Sequence, residues 1–215
     1  MDRIFDCSID TGLLEGLRQA KLALGRGELA VLPTDTVYGI AADAFNAPAV
    51  QALLDAKGRG RQSPPPVLIP NIESLHALAE TVSPTALKLA EKYWPGPLTM
   101  VVRAQSSLVW DLGETKGTVA LRVPNHKVAL ALLAETGPLA VSSANLTGQP
   151  AGQTAAEAFE QLGEKVRVYL EDGQAQIGEA STILDLTGTK VRIIREGAIK
   201  RSELAELLGD ELSDD

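Results

Sequence analysis

The sequence predicts a single α/β domain, and three observations carry that prediction. Short apolar runs of strand character alternate with stretches of helical spacing along the whole chain. No composition break, internal repeat or linker divides the 215 residues. A hydrophobic content of 45% is enough for a sizeable buried core. Aromatic residues make up only 4%, so aliphatic side chains must fill that core, and stacking platforms for single-stranded nucleic acid are disfavoured.

The elements follow in order. Leu13, Leu14, Leu17, Ala20, Leu22 and Leu24 recur near helical spacing, so a helix is expected over 12–24, ended by Gly25 and Gly27. ELAVLP (28–33) reads as a strand that gives way to the turn-rich stretch 34–39. A second helix is expected over 48–57, with Pro48 tolerated in its first turn. Residues 67–69 read as a buried strand. Asn71 caps a short helix, and Ser83-Pro84 opens another that runs to about Tyr93. LTMVVR (98–103) and TVALRV (118–123) are rich in branched residues and read as strands. A helix from Asn125 or His126 to Glu135 stops at Gly137-Pro138, and a strand over 139–141 runs into Ser142-Ser143-Ala144-Asn145. Thr154 caps a helix to Leu162; strands are expected over 166–170, 181–186 and 191–195, and a last helix over 201–208. The domain is therefore expected to span 1–208, with 209–215 an acidic, disordered tail.

Charge is unevenly placed. The chain has 20 Lys+Arg against 28 Asp+Glu, a net charge of -8, yet Lys57-Gly58-Arg59-Gly60-Arg61 sets three cations into five residues. Such a cluster on an acidic protein suits one small polyanion better than general adhesion to nucleic acid. Its glycines let a ligand approach the backbone, and Pro64-Pro65-Pro66 hold the exit of the loop extended. Polar groups also stand where other strands end: Thr34-Asp35-Thr36, Arg122 within an apolar strand, Ser142-Ser143-Ala144-Asn145, and Arg195. Ligand sites in α/β sheets collect at such ends. Each has a plainer reading: turn threonines, an Arg122 paired with Asp43 or another acid, a helix cap at Ser142, a surface Arg195. Spacing alone does not choose between the readings.

Several function classes are excluded. The chain has no G-x-x-x-x-G-K-[ST] loop, and the G-x-G at Gly58 and Gly60 is completed by Ser63 rather than by a third glycine. No G-x-S-x-G surrounds Ser142 or Ser143, and His76 and His126 are isolated. The one cysteine, Cys7, offers neither a disulfide framework nor a metal cage. The N-terminus lacks an apolar leader, and a run such as 129–134 is far too short to span a bilayer. A soluble, cytoplasmic protein is the expectation; if it is an enzyme, it works by positioning anions rather than through a covalent nucleophile.

Seven segments in order carry a family resemblance: LPTDTVYGIAADAFN (32–46), KGRGRQSPPPVLI (57–69), WPGPLTMVV (94–102), TVALRVPNH (118–126), SSANLTGQPA (142–151), STILDL (181–186) and IIREG (193–197). They resemble the YrdC/TsaC family of threonylcarbamoyl-adenylate synthases, in its short single-domain form. The resemblance implies a twisted mixed β-sheet with flanking helices and a basic concave cavity. It implies a nucleotidyltransferase that joins L-threonine, bicarbonate and ATP into threonylcarbamoyl-AMP and pyrophosphate, for tRNA threonylcarbamoyladenosine. By the same resemblance Lys57 and Arg59 are expected to be catalytic. Those two, with Ser63, Thr118, Val141, Ser143, Asn145 and Arg195, are expected to bind ATP, and Thr36, Arg122 and Ser181 to bind threonine. Mg2+ is expected to arrive on the ATP phosphates rather than in a protein cage. Downstream transfer proteins are the implied partners, with direct tRNA binding weak or absent and no membrane. Gly60 stands where the family commonly has proline, and Ser63 where it has lysine or asparagine; Arg61 is placed to compensate for the missing charge. Two other readings stay open here: an RNA-binding module that uses the basic cavity, and a carbamoyl-adenylating factor.

Overall fold

The computed structural model describes residues 3–214; Met1, Asp2 and Asp215, the outermost ends of the expected domain and tail, lie outside the described residues. The chain runs β1 (Ile4–Asp6), α1 (Asp10–Gly25), β2 (Ala30–Leu32), β3 (Gly39–Asp43), α2 (Ala47–Lys57), β4 (Val67–Leu68), α3 (Glu73–Leu78), α4 (Pro84–Tyr93), β5 (Leu98–Arg103), β6 (Thr118–Arg122), α5 (Lys127–Thr136), β7 (Leu139–Ser143), α6 (Ala155–Leu162), β8 (Val168–Glu171), β9 (Thr182–Asp185), β10 (Arg192–Arg195) and α7 (Arg201–Leu208). Three helices start where the side chain of the preceding residue caps a backbone N–H: Asn46 accepts from Ala49, Ser83 from Ala86 and Thr154 from Glu157.

The strands form one ten-stranded mixed sheet in the order β1-β8-β2-β3-β7-β4-β6-β5-β9-β10. Strand alternation sorts side chains between its two faces. In the first half both faces are covered. Ala30 and Leu32 of β2, with Val168 and Leu170 of β8, pack with α1 and α5. Val31, Tyr169 and Ile40 of β3 pack the other way, with α2 and α6. In the second half Leu98, Met100 and Val102 of β5, Val119 and Leu121 of β6, and Leu184 of β9 pack with α3, α4 and α7. The alternate positions of those strands, Thr99, Val101, Thr118, Ala120, Arg122 and Ile183, line a cavity instead.

Two strands were absent from the sequence reading. β3 lies between β2 and β7 with both faces buried, so its GIAAD segment carries no alternation of polar and apolar residues. Gly39 is required there: a Cβ at that position would stand 2.5 Å from Val141 Cγ1. β1 is a three-residue edge strand on β8. The chain end departs from the expected disordered tail. Gly209–Glu211 form a 3-10 turn, Val191 donates to Glu211 O at 2.8 Å, and Ser213 donates to Val191 O at 2.8 Å. Leu212 is buried in the α7 core, and that burial outweighs the acidic composition around it. Among the described residues no helix is long and apolar enough to cross a membrane.

Candidate active site

The cavity on the open face of the second half-sheet has a volume of about 560 Å3, within the usual range for small-molecule sites. Its floor begins where β2 ends. Thr34, Asp35 and Thr36 are all buried there. The Thr34 hydroxyl donates to Val37 O at 2.6 Å and stands 3.0 Å from Thr36 Oγ1. A hydroxyl has one proton; that of Thr34 is already used, so Thr36 is the donor between the two.

Arg122, at the end of β6, reaches this turn from across the sheet. Its Nη2 donates to Asp35 Oδ1 at 2.5 Å, its Nη1 to Thr36 Oγ1 at 2.9 Å and its Nε to Gly96 O at 2.9 Å. Asp35 Oδ1 also accepts from Asn125 N at 3.0 Å. Asp35 is thus the partner of Arg122, not Asp43. Burial pushes the Arg122 guanidinium below its ordinary value, Asp35 opposes that push, and nearby Arg195 adds to it. Three of the five N–H groups of Arg122 are engaged, leaving two for a ligand. Thr36, having given its proton to Thr34 and accepted from Arg122, has a lone pair left for an N–H donor.

The other wall is built by β7, β9 and β10. Arg195 Nε and Nη2 donate to Ser181 O at 3.1 and 2.6 Å, and Nη2 stands 3.2 Å from Ser181 Oγ. Thr99 Oγ1 lies 2.9 Å from the same Ser181 Oγ. Arg59 Nη1 donates to Ser142 Oγ at 3.0 Å. No carboxylate among the described residues forms an ion pair with Arg59 or Arg195. Partial burial pushes the Arg195 guanidinium down, and Arg59 pushes it further. The cavity therefore holds one neutralised cation, Arg122, and two uncompensated ones.

Of the residues singled out from sequence, Thr36, Arg59, Thr118, Arg122, Val141, Ser143, Asn145, Ser181 and Arg195 line this one cavity. Lys57 and Ser63 do not. Lys57 ends α2 with 3% exposure. Its ammonium is turned under the loop after β7, donating to Ser143 O, to Asn145 O at 2.6 Å and toward Asn145 Oδ1 at 3.4 Å. Burial, and then Arg59, push its pKa down to about 8. The separation from Arg59 comes from Gly58, whose left-handed backbone (φ 64) stops α2 and re-aims the chain. Ser63 stays in the loop, its N–H on Gly60 O at 3.2 Å. Arg61 turns outward to Asp111 at 2.6 Å and Gln51 at 3.3 Å, so it does not replace a charge in the cavity.

Sequence reasoning missed Thr99, and it missed that Asp35 pairs with Arg122. Thr99 had a signal: in LTMVVR it falls on the face opposite Leu98 and Met100. The pairing of Asp35 with a residue 87 positions away had none. Among the described residues no cluster of acids, histidines and cysteines could hold a metal ion.

A family model named for Sua5, YciO and YrdC, and described as telomere recombination, matches residues 22–197. A Mycobacterium leprae protein, provisionally named a threonylcarbamoyl-AMP synthase, is 49% identical over 209 residues, covering 97% of this chain and 95% of its own. The Bacillus subtilis threonylcarbamoyl-AMP synthase is 34% identical over 196 residues, 90% of this chain and 56% of that protein. The crystal structure of Pyrococcus abyssi Sua5 complexed with L-threonine superposes with a TM-score of 0.90 at 32% identity, over 96% of this chain and 61% of that one. The chain thus spans a little under two thirds of the archaeal protein.

Proposed function

The chain belongs to the Sua5/YciO/YrdC family, and from that premise we propose that it is a threonylcarbamoyl-AMP synthase acting on L-threonine, bicarbonate and ATP. The observation that carries the proposal is the pairing of ends within one cavity. Arg122, with two N–H groups to spare beside an acceptor on Thr36, suits the carboxylate and amine of an α-amino acid. Arg59 and Arg195, without carboxylate partners, suit a polyphosphate.

In the reaction, the threonine amine forms an N–C bond to bicarbonate carbon and water leaves, giving N-carboxy-threonine. An oxygen of the new carboxylate then bonds to the α-phosphorus of ATP. The bond from that phosphorus to the bridging oxygen breaks, and pyrophosphate leaves. Both reactants are anions, so the unpaired guanidiniums lower their repulsion and stabilise charge as it moves to the leaving group. Lys57 supports the step at one remove, by fixing the Ser143–Asn145 carbonyls and so the rim that Arg59 works against. Glu114 is the one carboxylate among the cavity's lining residues and is exposed, so the donor set does not fit a protein-held Mg2+; Mg2+ would travel on the nucleotide. The product would pass to proteins that modify tRNA.

The test is pyrophosphate release from ATP by the purified chain, with threonine and bicarbonate omitted in turn. Release that needs both is expected. Release that survives the omission of either would refute the assignment.

A further inference from the structure

Thr99 is 1% exposed and lines the cavity. Its strand pairs antiparallel with β6 through Met100↔Leu121 and Val101↔Ala120. One residue further along that register, Thr99 stands directly across from Arg122 on the cavity face. Side chains opposed in this way have Cβ atoms about 5 Å apart. On its other side Thr99 meets Ser181, at 2.9 Å between hydroxyl oxygens.

Proton bookkeeping separates this pair from the other hydroxyls near Arg122. The proton of Thr34 goes to Val37 O, and that of Thr36 goes to Thr34. Thr99 and Ser181 hold two protons, and the bond between them uses one, whichever atom donates. Arg195 can only donate, so its contact with Ser181 Oγ takes up no proton. One O–H therefore remains, together with open lone pairs, and no protein acceptor among the described residues takes it. A carboxylate would use only the donor and an ammonium only the acceptors. A hydroxyl uses both.

We infer that Thr99 is a specificity-determining residue: with Ser181 it reads the side-chain hydroxyl of the amino acid whose carboxylate Arg122 holds. The inference rests on the reading of the cavity as an amino-acid site. An analogue without the hydroxyl leaves that one O–H buried with no acceptor, which is how a site built on hydrogen bonds rejects such an analogue.

The test is calorimetric binding of L-threonine and of L-2-aminobutyrate, which has the same carbon skeleton without the hydroxyl. The wild type is expected to prefer threonine by roughly tenfold or more. Thr99→Val removes the hydroxyl at nearly constant shape; it should weaken threonine by about that factor and change 2-aminobutyrate by less than about threefold. Thr99→Ser should restore the preference. A wild type that does not discriminate, or a Thr99→Val protein that still does, overturns the inference. If Thr99→Val does not fold, Ser181→Ala carries the same expectation, and a preference retained there is equally fatal. Threonine binding with the preference but without pyrophosphate release would sink the proposed activity and leave this inference standing. Activity without the preference would do the reverse, and a wild type that binds no threonine sinks both.

Discussion

The two halves of the sheet follow one rule and reach opposite ends. In both, every second residue of a strand points to the same face. In the half formed by β1, β8, β2 and β3, those positions are Ala30, Leu32, Val168 and Leu170, and α1 and α5 cover them. In the half formed by β6, β5, β9 and β10, the corresponding face carries Thr99, Thr118, Arg122 and Ile183, and a cavity takes the place of helices. Leu68 and Val141, on β4 and β7, belong to both the α1/α5 core and the cavity lining, so the changeover falls at the middle of the sheet. One half packs both of its faces, and the other leaves one face open as the wall of a cavity.

That contrast can be broken at its most loaded point. Arg122→Ala should raise the apparent KM for threonine by about 10- to 100-fold, the worth of a charge-assisted hydrogen bond. It should also cost about 3–5 kcal/mol of stability by leaving Asp35 buried and unpaired. Replacing both by leucine should return part of the denaturation midpoint and none of the threonine response. In the supporting half, Leu53→Ala should cost about 2–5 kcal/mol in a urea titration with the threonine KM unchanged; a shifted KM would show that the halves are coupled.

Lys57 ties α2 to the loop after β7 and gives a pH test. Its folded pKa of about 8 lies below the ordinary 10.5, so the cost of burying its charge is full below pH 8 and relieved between the two values. Stability should therefore hold or rise across that window. Activity should fall, because the neutral amine loses its charge-assisted grip on the Ser143 and Asn145 carbonyls. Parallel pH profiles of kcat and of melting temperature check the divergence. The smallest effect belongs to Arg195→Ala, which should raise the ATP KM by about tenfold, as one charged hydrogen bond is worth, and barely move the melting temperature, since the residue has a face in solvent.

Much of this was legible in the sequence, and what was not has definite causes. LTMVVR and TVALRV announce β5 and β6 because their branched residues suit a pleated, half-buried surface. Ser83-Pro84 announces α4 because the cap and the first-turn proline are local features. β3 is silent because neither of its faces meets solvent. Lys57 and Arg59 look equivalent on paper. Only the left-handed turn at Gly58 sends one under the loop and the other into the cavity. The convergence of Arg122 with Asp35 and Thr36 depends on β6 lying several strands away from β2, which no local pattern records.

The two guanidiniums without carboxylate partners have a thermal consequence. Arg59 and Arg195 press on each other electrostatically, so the fold carries a small internal load that any suitable polyanion removes. Heat resistance should climb with pyrophosphate concentration in the logarithmic way that binding linkage dictates, and the gain should shrink as sodium chloride is raised. The protein would then be sturdiest while holding its own leaving group.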